Sequence, residues 1–317
     1  MGQYVIRRLI QMIPLMIGIS VIMFALIQAA PGGPEAMFLE SGRFIDPTII
    51  ESYRHRLGLD QPVYIQYFKW LGAALTGDFG LSFSTSRSVS EMILERLPAT
   101  LELMLTAFIF ATIIAIPLGI FSAVHQYSTL DYLGTSFSFL GIAMPVFWFG
   151  LILQLIFCVK LGWLPTSGRV TVGDASIIDQ IEHLILPATV LSFLYIAGWS
   201  RYMRSSLLSV VRKEFMLTAR SKGLQERDVI WVHGVKNALI PVVSVMALDL
   251  AGLFSGAVIT ETIFAWPGIG RLFIQSTYSR DYPLMMGILM MGSFMVLFFN
   301  LIADMVYAWL DPRIRYS

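Results

Sequence analysis

The chain has 317 residues, 56% hydrophobic and only 14% charged, with a net charge of +1 and a mean hydropathy of +0.71. Ordinary soluble domains carry about 25% charged residues, so this apolar content exceeds what a soluble interior can bury. Near-balanced charge does not support a global electrostatic grip on nucleic acid, and the lone cysteine, Cys158, excludes an internal disulfide and a cysteine-built metal site. What remains is an all-α membrane protein, multi-pass in the lipid bilayer.

A bilayer core about 30 Å thick takes about 20 apolar residues of helix, and six runs meet that length. The first, 9–30, is uncharged and follows Arg7 and Arg8. It is longer than the apolar core of a signal peptide, and Pro31 directly after Ala29-Ala30 suits no cleavage site, so it reads as a retained helix. An outer segment, 31–98, comes next. Asp46-Pro47 predicts a helix start, with Ile49, Ile50, Tyr53 and Leu57 on one stripe and Gly58 as its stop. Ile65, Phe68, Leu71 and Leu75 predict a second amphipathic helix within 62–76. Both suit either a cap on the membrane surface or a dock for a partner outside the cell.

The second span, 99–124, holds one charge, Glu102, near its start. The third, 132–159, and the fourth, 184–200, are uncharged. The fifth, 237–260, holds only Asp249, and the sixth, 284–303, ends before Asp304. None alternates as the strands of a membrane barrel would. Pro14, Pro117, Pro145, Pro187 and Pro241 read as ordinary kinks, tolerated where neighbouring helices satisfy the freed carbonyls. With the N-terminus inside, inner segments carry twelve Lys and Arg against four in the short outer ones. The positive-inside rule then puts both termini in the cytoplasm, and 1–317 forms a single transmembrane domain.

The inner segment 201–236 carries eight basic residues and three acids, Glu214, Glu226 and Asp228. Phe215, Thr218, Ala219 and Lys222 share a helical face that Gly223 terminates. The segment either fixes topology or offers a short helical peg to a partner's groove.

Chemistry is sparse. No phosphate-cradling G-x-x-x-x-G-K-[ST] or G-x-G-x-x-G occurs, no G-x-S-x-G turn, and His55, His125, His183 and His233 are scattered without a metal-binding spacing. Asp249, mid-span, is the notable acid: a charge there costs about 2.5–3.5 kcal/mol on insertion scales. It lines a pathway or fastens two helices. Asn300 and Asp304 share one face four residues apart, and with Glu102 and Asp249 they are the translocation-path candidates. The two halves show no inverted repeat and one acid makes no charge ring, which disfavours a self-sufficient secondary transporter or channel.

Taken together, several blocks resemble a known family: Tyr4-Val-Ile-Arg-Arg, Pro31-Gly-Gly-Pro, Leu57-Gly-Leu-Asp-Gln-Pro, Gly77-Asp-Phe-Gly-Leu-Ser, Arg96-Leu-Pro-Ala-Thr, Met144-Pro-Val-Phe-Trp, Leu161-Gly-Trp-Leu-Pro, Thr260-Glu-Thr-Ile-Phe with Trp266-Pro-Gly-Ile-Gly, and Asp311-Pro-Arg-Ile-Arg. In this order they are similar, over the whole length, to the first permease subunit of dipeptide, oligopeptide and nickel ABC importers. The resemblance implies that 201–236 is the ATPase-contacting loop, with Glu214, Phe215, Thr218, Ala219, Lys222 and Gly223 on its coupling helix. The general pattern is Glu-Ala-Ala, three residues, Gly, nine residues, Ile-x-Leu-Pro. Here Ala219 and Gly223 fit, Leu217 and Thr218 replace the Glu and first Ala, and His233, Val235 and Lys236 replace Ile, Leu and Pro.

The implied partners are a paralogous permease, two cytoplasmic ABC ATPases that bind ATP and magnesium, and an extracellular or periplasmic substrate-binding protein. This chain would then be no enzyme and hold no cofactor or metal, sitting in a bacterial or archaeal cell (inner) membrane. Between the two cargo classes, short peptides are favoured over nickel complexes. Nickel favours imidazole ligands, and no histidine lies mid-span.

Overall fold

The computed structural model describes residues 2–29, 60–174 and 176–310, and among these every regular element is helical, apart from two isolated bridges. The helix expected over 46–57 lies outside the described residues. Helix α1 (Gly2–Ala29) contains the first apolar run. It packs on the last helix and leaves most of its apolar side chains uncovered, as a peripheral span would. Helix α2 (Val63–Leu75) matches the second amphipathic stretch. It lies along the far half of α1, with the Ser20 and Tyr67 hydroxyls 2.9 Å apart and Phe24 edge-on to Tyr67.

Helices α3 (Val89–Val124) and α6 (Ile177–Val211) run well beyond their apolar runs and form the most extensive pairing in the bundle. Their approach depends on missing side chains. A Cβ at Gly119 would lie 2.6 Å from both the Met203 Cβ and the Ser200 carbonyl oxygen, the small-residue contact that lets membrane helices pack closely. Helix α9 (Lys236–Ile263) joins the pair, and α11 (Tyr282–Leu310) packs on α9. The core so formed runs through Ala111, Ile196, Trp199, Met203, Ala238 and Val242.

The third run departs from expectation. Instead of one continuous helix over 132–159, α4 (Thr129–Ala143) and α5 (Val146–Leu153) meet at a bend of 107°, and α5 continues as a wide π-type turn over Gln154–Lys160. The cause is local. Pro145 disfavours helical backbone at the residue before it, and Met144 is extended at φ −84°, ψ 121°. Pro14, Pro117, Pro187 and Pro241, by contrast, sit inside continuous helices. Among the described residues five helices are long and apolar enough to cross a membrane, six with the bent pair counted as one span.

Candidate functional site

The loop after α6 folds as α7 (Glu214–Ser221), the single turn α8 (Glu226–Asp228) and a π-type segment, Val229–Val235, that runs into α9. Lys213 is extended and starts α7. Gly223 ends the turn that follows, at φ +78°, a conformation that favours glycine, with its N–H donating to the Arg220 carbonyl at 2.9 Å. Met216 and Ala219 point into the chain's own core beside Leu207, Val210 and Val229. Phe215, Leu217, Thr218 and Lys222 face outward, and Leu217 is 64% exposed. The expected face is therefore split: Ala219, 7% exposed, fixes α7 to the bundle rather than lying open to a partner. Glu214 is exposed at the first turn, its carbonyl accepting from the Thr218 hydroxyl at 3.1 Å. Arg220 spans to Glu226 with two hydrogen bonds of 3.0 and 2.8 Å, which push its guanidinium pKa above even the usual arginine value.

Three acids in or beside the spans meet arginines. Asp131 accepts two bonds from Arg204, at 2.6 and 2.7 Å, and a third from the Ser122 hydroxyl, tying together α3, α4 and α6. Asp304 pairs with Arg8 at 3.2 Å, fastening α11 to α1. Glu102 pairs with Arg169 of the α5–α6 connection at 2.7 Å. Asp249 differs. Its Oδ2 accepts from the Trp199 indole N–H at 2.7 Å, and among the described residues no ion pair joins it. Asn300 lines a cleft of about 560 Å³ between α1, α9, α11 and α10 (Ile269–Tyr278).

The opposite end holds two caged carboxylates. Glu261 is fully buried. It accepts from the Thr100 hydroxyl at 2.7 Å and the Arg271 N–H at 3.0 Å, while Thr100 accepts from the Ile269 N–H at 2.8 Å. Burial pushes the Glu261 carboxyl pKa up. A Cβ at Gly268 would overlap this carboxyl. Asp281, also fully buried, accepts from the Ser82 and Ser84 hydroxyls at 2.5 and 2.8 Å and from the N–H groups of Phe83 and Ser84 at 3.1 Å. It pins the 82–84 loop to the start of α11.

Sequence spacing brought neither cage to notice, nor the arginines that meet Asp131, Glu102 and Asp304. Such pairs join residues up to 296 positions apart. A signal did exist for Glu261 and Gly268, which both fall within the Thr260-to-Gly270 blocks.

This arrangement of long helices around a short helix anchored in the core is the fold found in ABC transporters of known structure. A chain of the MetNI methionine ABC transporter superposes with a TM-score of 0.57 at 14% identity, covering 69% of this chain and 96% of that one. An amino acid ABC transporter solved with histidines gives 0.53 at 16% identity, with 69% and 94% covered. At that identity the likeness concerns fold alone. Sequence carries the assignment further. Residues 115–316 match the family described as binding-protein-dependent transport system inner membrane component, and residues 1–104 match its N-terminal companion. The chain belongs to this family. It is 44% identical over 318 residues to the oligopeptide transport system permease AppB of Bacillus subtilis, with both chains fully covered. The dipeptide permease DppB of Escherichia coli strain K12 is 37% identical over 339 residues, and that organism's glutathione permease GsiC 38% over 317, again over both full lengths.

Proposed function

We propose that the chain is one of two paralogous permease subunits of an ATP-driven importer of short peptides. The carrying observation is the end-to-end 44% identity with an oligopeptide permease, with no segment of either chain left over. Two cytoplasmic ATPases supply the energy, and a binding protein outside delivers the peptide. Both termini and α7 face the cytoplasm, and the outer segment 31–98 faces the delivering protein.

The chemistry of ATP belongs to the partners; this chain converts their movement into rocking of its helices. The outward face of α7, with Glu214, Phe215, Thr218 and Lys222, touches an ATPase, while Met216 and Ala219 carry the push into the core shared by α3, α6 and α9. Gly223 lets the chain turn back. Asp249 and Asn300 keep a place on the path. Glu102 and Asp304, each held by an arginine, shape it by fixing their helices.

Uptake into vesicles holding the full complex tests the reading, with labelled di- to pentapeptides competing against chelated nickel. Saturable peptide uptake that nickel leaves untouched is expected; nickel uptake that excess peptide cannot suppress would overturn it. On coupling, Leu217→Asp should leave the complex assembled but abolish transport-stimulated ATP hydrolysis. Unchanged stimulation would reduce the loop to a topology signal.

A further inference from the structure

Asp249 stands apart from the other acids of the spans. Asp131, Glu102 and Asp304 are each neutralised by an arginine of this chain, whereas Asp249 meets an indole N–H. That bond alone does not require a charge. Trp266, equally buried, satisfies its indole with the Ala99 carbonyl at 2.8 Å. A mid-span carboxylate therefore carries a cost that its visible partner does not offset.

The surroundings are those of a prepared site. Trp199 is 1% exposed and clamped between Phe108 and Tyr195, each with its ring centroid 5.4 Å away. Its rotamer is fixed, so the carboxylate it holds is fixed too. Asp249 itself is half-buried, with Leu248 and Gly252 exposed beside it. A Cβ at Gly252 would meet the Tyr195 hydroxyl alone, at 3.2 Å, and one at Gly198, a turn along α6 from Tyr195, would meet nothing within 4 Å. Gly252, three residues along α9 from the acid, thus leaves bare backbone beside the Tyr195 phenol oxygen, and Gly198 leaves another bare stretch next to Trp199 on α6. Among the described residues no His, Cys, Asp or Glu groups with it to hold a metal.

We propose that Asp249, oriented by Trp199 and flanked by Tyr195, binds a primary ammonium, the free N-terminus of the transported peptide. The inference rests on the peptide-importer reading and adds a recognition site to it. A carboxylate, a hydroxyl and an aromatic face suit an ammonium, and the glycines leave room for the peptide backbone that follows. Recognition by one charge is weak enough to let the peptide leave again.

The test uses the purified, assembled complex without its binding protein, with trialanine and N-acetyl-trialanine as probes and saturation-transfer NMR as the readout. Wild type should bind trialanine at least about tenfold more tightly than the acetylated form, the loss expected for one charge-assisted hydrogen bond. Asp249→Asn should erase that difference. Tyr195→Phe, which keeps the charge and serves if Asp249→Asn fails to assemble, should weaken trialanine about threefold and leave the acetylated probe unaffected. Equal binding of both probes to wild type, or no binding while vesicles still take up trialanine, would overturn the ammonium site and leave the importer reading intact. Loss of the paired permease from the Asp249→Asn complex, with wild-type binding indifferent to acetylation, would assign the charge to a cation of that partner instead. Absence of any trialanine uptake by wild type would overturn both.

Discussion

Glu261 and Asp281, at the end of the bundle that carries α10, are fully buried and held by hydroxyls and backbone N–H groups. Asp131, Asp304 and Glu226, at the end that carries α7, face arginines whose side chains keep 25–42% of their surface. The difference separates two mechanical roles. A carboxylate caged by backbone donors is fixed in one geometry, because leaving it strands every donor in a dry site. Arg8 and Arg220 can exchange their partners for water or for another protein at small cost, whereas Arg204 holds a carboxylate that is itself buried. The caged carboxylates are built to hold one geometry, the exposed ion pairs to have their contacts remade.

The largest effect expected is at Asp281. Asp281→Ala strands two hydroxyls and two N–H groups and should cost about 3 kcal/mol, read as thermal unfolding in detergent, with Asp281→Asn recovering part of it. A loss under about 1 kcal/mol, the net worth of one ordinary hydrogen bond, would show that the cage is no firmer than the ion pairs. Gly268→Ala forces a methyl into the Glu261 carboxyl and should cost about 2 kcal/mol, within the usual range for overpacking; if stability is unchanged, the α10 cage yields and the comparison fails. Arg204→Lys keeps the charge but loses the two-bond fork to Asp131, for which about 1 kcal/mol is expected. The smallest effect belongs to Glu226→Gln, about 0.3–0.5 kcal/mol as for other exposed pairs. Salt sharpens the contrast without mutation. At about 1 M, where screening reaches within 3 Å, amide exchange should quicken around α7 and stay unchanged around α10.

Much of this architecture is legible in apolar run length. Each of the six runs reappears as a helix or bent pair, and Gly223 marks the turn after α7. The break at Met144-Pro145 is not legible in the same way. Pro117 and Pro187 carry the same local signal inside unbroken helices, and the outcome depends on what packs around each proline. Ala219 shows the limit of helical spacing. It shares a stripe with Phe215 and Lys222, yet the core lies along a line through Met216 that divides that stripe. Asp249 was noticeable because a charge in an apolar run stands out; that no ion pair joins it among the described residues was not, since only the folded bundle shows that Arg204, Arg8 and Arg169 pair elsewhere.

The π-type segment Val229–Val235 has a consequence for how insertions and deletions should act. It inserts surplus backbone between α7 and α9, at the point where the loop rejoins the bundle. Each residue of a helix advances the azimuth by about 100°, and a π-turn absorbs one extra residue without lengthening the helix much. Deleting the exposed Val232 would let the segment relax to ordinary α-helix and swing everything before it by about 100° around the α9 axis. Met216 and Ala219 would then leave the core while Leu217 turned toward it. The wide turn is thus a phase-setting device: the angular position of the loop is encoded in chain length, and no nearby substitution of one residue for another can imitate its loss.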